Sequence, residues 1–196
     1  MQETISRRSN HDRSEATRGD LVAAARALFT QKSYAATGTP EIVAAAGVTR
    51  GALYHHFADK QALFAAVVEK EAGAVAAEIE RAAPCLGDPL DMLLEGARAY
   101  LDAMRAPGRT RLLLIDGPSI LGRAAMDEID ARHGSRTLRE GLSGAMQAGA
   151  IMTLPLDALT AELGAMFDGA ALAIEAGGAA DDHLAVLSAL LRGIAA

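Results

Sequence analysis

The apolar residues of this 196-residue chain recur at helical spacing from end to end, and no run of valine and isoleucine alternates with polar residues at the period of two that a half-buried strand requires. That periodicity predicts an all-α fold. Leu21, Ala25, Leu28 and Phe29 share one helical face, with Arg18 and Arg26 turned outward, which predicts an amphipathic helix to about Gln31. Thr39 followed by Pro40 reads as a helix start, the hydroxyl serving as N-cap and the proline as first helical residue, with Ile42, Val43 and Ala46 as the apolar face. Gly47 stops this helix, Val48 is expected to be buried in the turn, and Thr49 caps the next helix, Arg50 to Phe57. Asp59 caps a fourth. Met1 to Thr17, polar and without periodicity, is expected to be a flexible leader; residues 18–60 form an expected helix-turn-helix domain and residues 61–196 a larger helical domain.

Beyond Lys60, the residues Leu63, Phe64, Val67, Val68, Val75 and Ile79 mark a long helix ending near Pro84 and Gly87. Asp88 and Pro89 start another, with Leu90, Leu93, Leu94, Ala97, Leu101 and Met104 on one face, closed by Pro107 and Gly108. A short apolar segment, Leu112 to Ile115, is expected to end at Gly117 and Pro118, before an interrupted helical region reaching about Gln147. The last two helices are expected from about Leu156 to Ala176 and from Asp181 to Ala195.

Composition narrows the function. A chain that is 51% hydrophobic and 22% charged folds into a core rather than staying disordered. The single cysteine, Cys85, excludes an internal disulfide framework and a cysteine-based metal cluster within one chain, and favours a reducing compartment. The longest uncharged stretches, such as Gly141 to Leu156, fall short of the roughly 20 apolar residues that span a bilayer. With no signal-like segment at the polar N-terminus, the expected location is the cytoplasm. No cofactor is expected. The net charge of −6 is unevenly placed: residues 1–70 hold nine basic and seven acidic side chains, and the remainder ten and eighteen. A mildly basic N-terminal face therefore stands apart from an acidic body. No lysine follows a glycine, and HExxH, GxSxG and dinucleotide glycine signatures are absent, so the usual hydrolase and nucleotide motifs are missing.

The segment Ile42 to Lys60, IVAAAGVTRGALYHHFADK, closely resembles the DNA-binding domain of the TetR family of bacterial transcription regulators, through AGV, LYHHF and the following lysine at the family's spacing. The resemblance covers about residues 18–70. LLLIDGP, Leu112 to Pro118, also looks like a segment recurring in some members. The resemblance implies a second helix entering the DNA major groove. Thr39 and Thr49 would position the module on phosphates, Tyr54 and His56 would reach the backbone or groove edge, and Lys60 would meet a phosphate. Arg50, Gly51, Ala52 and His55 would face the bases, Arg50 being suited to guanine and Gly51 and Ala52 to close approach. Gly38 stands where a hydroxyl residue is often seen, which removes one expected backbone contact. His55 and His56, adjacent on a helix, point about 100° apart and are not an i, i+4 metal pair, so no metal is expected.

A module that reads a few base pairs needs a partner copy. Ala161, Ala165, Gly169, Ala173 and Gly177 recur every fourth residue as a ridge of small side chains, and Leu184, Leu187, Leu191 and Ile194 lie at seam spacing, so a homodimer interface is expected on the last two helices, as the resemblance also implies. Every methionine except Met1 follows residue 90. Tyr100, Met104, Met126, Met166 and Phe167 are the expected lining of a site for a mostly hydrophobic small-molecule effector, with Glu95, Asp116, Arg123, His133, Asp168 and Glu175 as available polar groups. The function expected is a ligand-responsive regulator, a repressor that binds a palindromic double-stranded operator as a dimer and is released by its effector. The alternatives are a regulator of the same fold controlled by a protein partner, and an all-α enzyme or carrier.

Overall fold

The computed structural model describes residues 3–82 and 87–196, with side chains described from residue 11 onward. Pro84 and Cys85 lie outside the described residues, as does the expected end of the long helix there. The chain divides into two compact units, Met1–Glu69 and Lys70–Ala196. All described elements are helical apart from one isolated antiparallel bridge, Ile151 to Ala195.

The first unit contains α1 (Glu3–Lys32), α2 (Thr39–Ala45), α3 (Arg50–His56) and the start of α4 (Lys60–Ala82). Helix α1 begins at Glu3, so the stretch to Thr17 expected as a leader is helical. It has no proline, and its first glycine is Gly19. Once the amphipathic part from Leu21 is nucleated, extending the helix backward through Glu, Arg and Ser fixes one residue per hydrogen bond. The unit also reaches past Lys60 to Glu69, because Leu63, Phe64, Val67 and Val68 of α4 are buried core residues. Phe29, Tyr34 and Phe64 form the centre of this core, their ring centroids 5.1–5.5 Å apart in tilted and edge-on pairs. Leu21, Ala25, Ile42 and Leu53 complete it at zero exposure. Gly47 adopts φ +67°, and its N–H and that of Val48 return to Ala44 and Val43, closing α2 in the way a left-handed glycine allows.

The second unit comprises the rest of α4, α5 (Pro89–Met104), a π-helical turn (Arg111–Asp116), α6 (Gly117–Leu121), α7 (Arg123–Arg132), α8 (Gly134–Gln147), α9 (Leu156–Glu175) and α10 (Ala180–Gly193). Asp88 caps α5 through Leu90 N–H at 2.8 Å, with Pro89 in the first turn. Gly117 and Pro118 open α6 rather than ending a segment, since proline is compatible with a first helical turn. Gly141 lies against Leu93, where an added Cβ would stand 3.1 Å from the leucine, so its small size lets α8 approach α5 closely. Leu93, Leu101, Leu112, Leu142, Leu163, Phe167, Leu187 and Leu191 supply the buried core. Among the described residues, no helix is long and apolar enough to cross a membrane.

Candidate nucleic-acid interface

Helix α3 is short because its sequence has only two inward positions to spend. Leu53 is fully buried and Phe57, its C-cap, is 5% exposed, with the guanidinium of Arg18 5.0 Å above the Phe57 ring. Thr49 caps the helix as expected, its Oγ1 accepting from Ala52 N–H at 3.2 Å. The face opposite Leu53 carries Arg50, Gly51, Tyr54 and His55, all exposed, with Ala52 and His56 half-buried at its margin. An alanine at Gly51 would only touch Thr49 Oγ1 at 3.8 Å, so the protein's own packing does not demand glycine there. The bare backbone is left for whatever approaches from outside.

The start of α2 differs from the sequence expectation. Gly38, not Thr39, is the N-cap and has no side chain to accept from the first turn, while Glu41 reaches back to accept from Gly38 N–H at 3.2 Å and pairs with Lys32 at 2.6 Å. Hydrogen bonds and the Lys32 charge hold the Glu41 carboxyl below its usual range. The glutamate three residues on supplies the half of a capping box that needs no N-cap side chain. Thr39 is not the cap, and its hydroxyl lies by the Tyr54 phenol. The Arg50 guanidinium stands 5.5 Å above the Tyr54 ring, and Thr39 and Arg50 together draw the phenol below its usual pKa. Half-buried Thr39 and exposed Arg50 and Tyr54 form one polar cluster joining α2 to α3.

Lys60, expected to meet a phosphate, has partners within the first unit. Its Nζ donates to the carbonyls of Tyr34 at 2.9 Å and Thr37 at 3.0 Å and lies 4.1 Å above the Tyr34 ring. A cation at a helix N-terminus faces an unfavourable dipole, and here two carbonyls and an aromatic face offset it. The same loop is fixed by Thr37, buried, whose hydroxyl donates to Ser33 O at 2.7 Å across a left-handed Ser33 at φ +81°. His55 and His56 lie edge to face at 5.2 Å. Among the described residues, no group of three or more His, Cys, Asp or Glu is placed to hold a metal.

In the second unit the expected effector residues separate. Tyr100 and Phe167 meet at 5.9 Å, and the Tyr100 hydroxyl donates to Asp168 Oδ1 at 2.6 Å. Burial raises the Asp168 carboxyl, the Tyr100 bond opposes this, and the Asp130 charge adds to it; burial and Asp168 together push the Tyr100 phenol far up. Met104 is 2% exposed and lines a small cleft with Leu101, Arg105, Thr110, Ala171, Ile174 and Glu175, enclosing about 180 Å³ of space open to solvent. Met126 packs over Gly117, its Sδ 2.8 Å from where a Cβ would stand, and Met166 is half-buried on α9.

On the last two helices, Ala161, Ala165 and Gly169 are exposed and Ala173 is half-buried, leaving the small-residue ridge uncovered. The leucine seam is corrected: Leu187 and Leu191 are 4% and 1% exposed and belong to the chain's own core, with Leu184 half-buried. The exposed apolar side chains of α10 are Val186 and Leu190. Spacing reveals an apolar face but not what covers it. Sequence reasoning also missed the ion pairs of Arg109 with buried Glu71 and half-buried Glu78, 38 and 31 positions from it.

Residues 21–67 match the family described as bacterial regulatory proteins, tetR family, and residues 90–195 match the tetracyclin repressor-like C-terminal domain. The chain is 38% identical over 108 residues to the HTH-type transcriptional regulator AcrR of Shigella flexneri, covering 55% of this chain and 50% of that protein. It is 34% identical over 119 residues to the A-factor receptor protein of Streptomyces griseus, covering 57% and 40%. The chain thus spans half or less of these curated relatives. The crystal structure of a TetR-family transcriptional regulator from Pectobacterium atrosepticum superimposes with a TM-score of 0.76 at 31% identity, covering 94% of this chain and 96% of that one.

Proposed function

The chain belongs to the tetR family of bacterial regulatory proteins, and from that premise we propose that it is a ligand-responsive DNA-binding transcriptional regulator, a repressor that binds a palindromic operator as a homodimer. The observation that carries the reading is the outer face of α3. Arg50, Gly51, Tyr54 and His55 are exposed there, and the glycine is not required by internal packing. Arg50 and His55 read base edges, Gly51 and Ala52 admit the groove wall, and Thr39, Thr49, Tyr54 and His56 meet the sugar-phosphate backbone. Lys60 acts one step removed, by holding the loop that leads into Thr39.

The homodimer forms through α9 and α10, where Ala161, Ala165, Gly169 and Ala173 allow close approach and Val186 and Leu190 supply apolar area. The effector is a mostly hydrophobic small molecule bound in the second unit, with Met104, Met166, Phe167 and Tyr100 as adaptable lining and Asp168 as the polar anchor. Selecting bound duplexes from a random DNA pool tests the core of this reading. The expected product is a palindrome with half-sites separated by about one helical turn or a multiple. Recovery of unrelated sequences with no enrichment refutes it.

A further inference from the structure

Most of the cations of the first unit are engaged within it. Lys32 pairs with Glu41 at 2.6 Å, Lys60 donates to the carbonyls of Tyr34 and Thr37, and Arg26 has a partner of its own. Arg50 stands over Tyr54 on the face assigned to the bases. The sugar-phosphate backbone, the most highly charged part of a duplex, is left to hydroxyls and an imidazole. Arg18 is placed differently. It is exposed, has no ion pair or hydrogen bond among the described residues, and holds its guanidinium carbon 5.0 Å over the Phe57 ring. It precedes Val22, Ala25 and Phe29 by four, seven and eleven residues, so it is in phase with the buried stripe of α1 and stands just beyond its N-terminal end. There the core ends at Phe57, and a long side chain with a charged head covers the ring while its tip stays in water. The Phe57 ring lies 6.5 Å from that of His56, which lies 5.2 Å from that of His55. A cation of α1 is thereby brought to the C-terminal edge of α3, with its fork of N–H donors unused.

We propose that Arg18 binds a phosphate of the duplex beside the segment that α3 reads, supplying the charged backbone contact that Lys60 does not, an inference that rests on the regulator reading above. Contact with the Phe57 ring holds the head in place before DNA arrives, so little side-chain freedom is lost when the phosphate is met. The planar fork matches two phosphate oxygens, which a hydroxyl or an imidazole cannot do. Such a contact positions the module and carries no base preference, so it strengthens binding to every sequence alike. Each copy bound displaces about one further counterion from the duplex. Arg13 is exposed on the same helix but lies about 140° round it from Arg18, away from the edge that Phe57 and His56 mark.

The test uses the full chain and the duplex selected from the random pool. Arg18→Met removes the charge and keeps a flexible side chain for the Phe57 ring, so the melting temperature should stay within about 2 °C of the parent's. The logarithmic salt slope of binding should fall by about 0.9 for each copy bound, so that between about 50 and 200 mM salt the variant loses about threefold less affinity per copy than the parent. Arg18→Lys and Arg13→Met should both keep the parent's slope. Single phosphates of the duplex are then replaced in turn by uncharged methylphosphonate. Neutralising the phosphate that meets Arg18 should weaken the parent's binding by about tenfold and that of Arg18→Met by less than about twofold, with the other sensitive positions unchanged. Arg18→Gln is read in the same way if the methionine variant does not fold. A slope that Arg18→Met leaves at the parent's value, or a methylphosphonate profile that it alters nowhere, overturns the contact and makes Arg18 a cover for Phe57 only. An equal loss of slope in Arg13→Met also overturns it, since the effect is then one of overall charge. Failure of the parent to select any DNA overturns the regulator reading itself, and is seen before any variant is made.

Discussion

Replacing Lys60 with methionine separates two roles that a lysine beside DNA can have. Methionine keeps most of the apolar stem and removes the ammonium, together with two charge-assisted hydrogen bonds and a contact with the Tyr34 ring. Such hydrogen bonds are worth about 1.5–3 kcal/mol each in place. The loss is partly recovered, because the freed carbonyls of a half-buried loop can take water, and Tyr34 O already accepts Thr37 N–H at 3.3 Å. A net destabilisation of about 2 kcal/mol is expected, lowering the melting temperature by several degrees. The loop also sets where Thr39 sits beside Tyr54, so affinity for the selected duplex should fall on the order of tenfold, evenly across sequences. The decisive measurement is the salt dependence of binding, by fluorescence anisotropy between about 50 and 200 mM salt. If Lys60 acts through the loop, the logarithmic slope stays at the parent's value. A slope reduced by about 0.9, with stability unchanged, would mean that a phosphate contact was lost and would refute the positioning argument.

The reading face is tested by Arg50→Ala, which should relax preference at one base pair at a cost of about 1–3 kcal/mol while leaving the fold intact; repeating the selection with the variant shows whether one position alone becomes degenerate. A Cβ at Gly169 meets nothing within 4 Å in the single chain, so with Gly169→Leu the monomer should fold while the dimer weakens, and sedimentation equilibrium that still shows a full dimer would sink the α9 ridge. By contrast, Leu191→Ala should cost about 2–5 kcal/mol of chain stability, as a buried leucine does, and Leu190→Asp should cost dimer rather than fold. Asp168 has a carboxyl pKa raised by burial, so the folded state binds its proton more readily than the unfolded one. Its ionisation therefore erodes stability as pH rises from the ordinary carboxylate range through the raised value, and denaturant melts of Asp168→Asn should show that part of the pH dependence gone.

The helices were legible in the sequence wherever a local rule was enough. The 3.6-residue recurrence of Leu21, Ala25 and Phe29, the stop at Gly47, the caps at Thr49 and Asp88, and the AGV and LYHHF strings each depend on neighbours within about two turns. The exposed cluster of Arg50 and Tyr54 follows from the same phase, because burying Leu53 and Phe57 leaves only one face for the rest. Tertiary structure decided everything that required knowing what lies opposite. An apolar stripe such as Leu187 and Leu191 has the same spacing whether a partner or its own chain covers it. A threonine before proline looks like a cap until the chain turn puts Gly38 in that place, with Glu41 folded back onto its N–H. Lys60 shows a misplaced charge in sequence, yet its partners are carbonyls 26 and 23 residues earlier, and Arg109 joins acids 38 and 31 residues away. Local periodicity fixes the phase of each helix, whereas the partner of a side chain depends on which helices the hydrophobic core brings together, and no spacing rule along the chain carries that information.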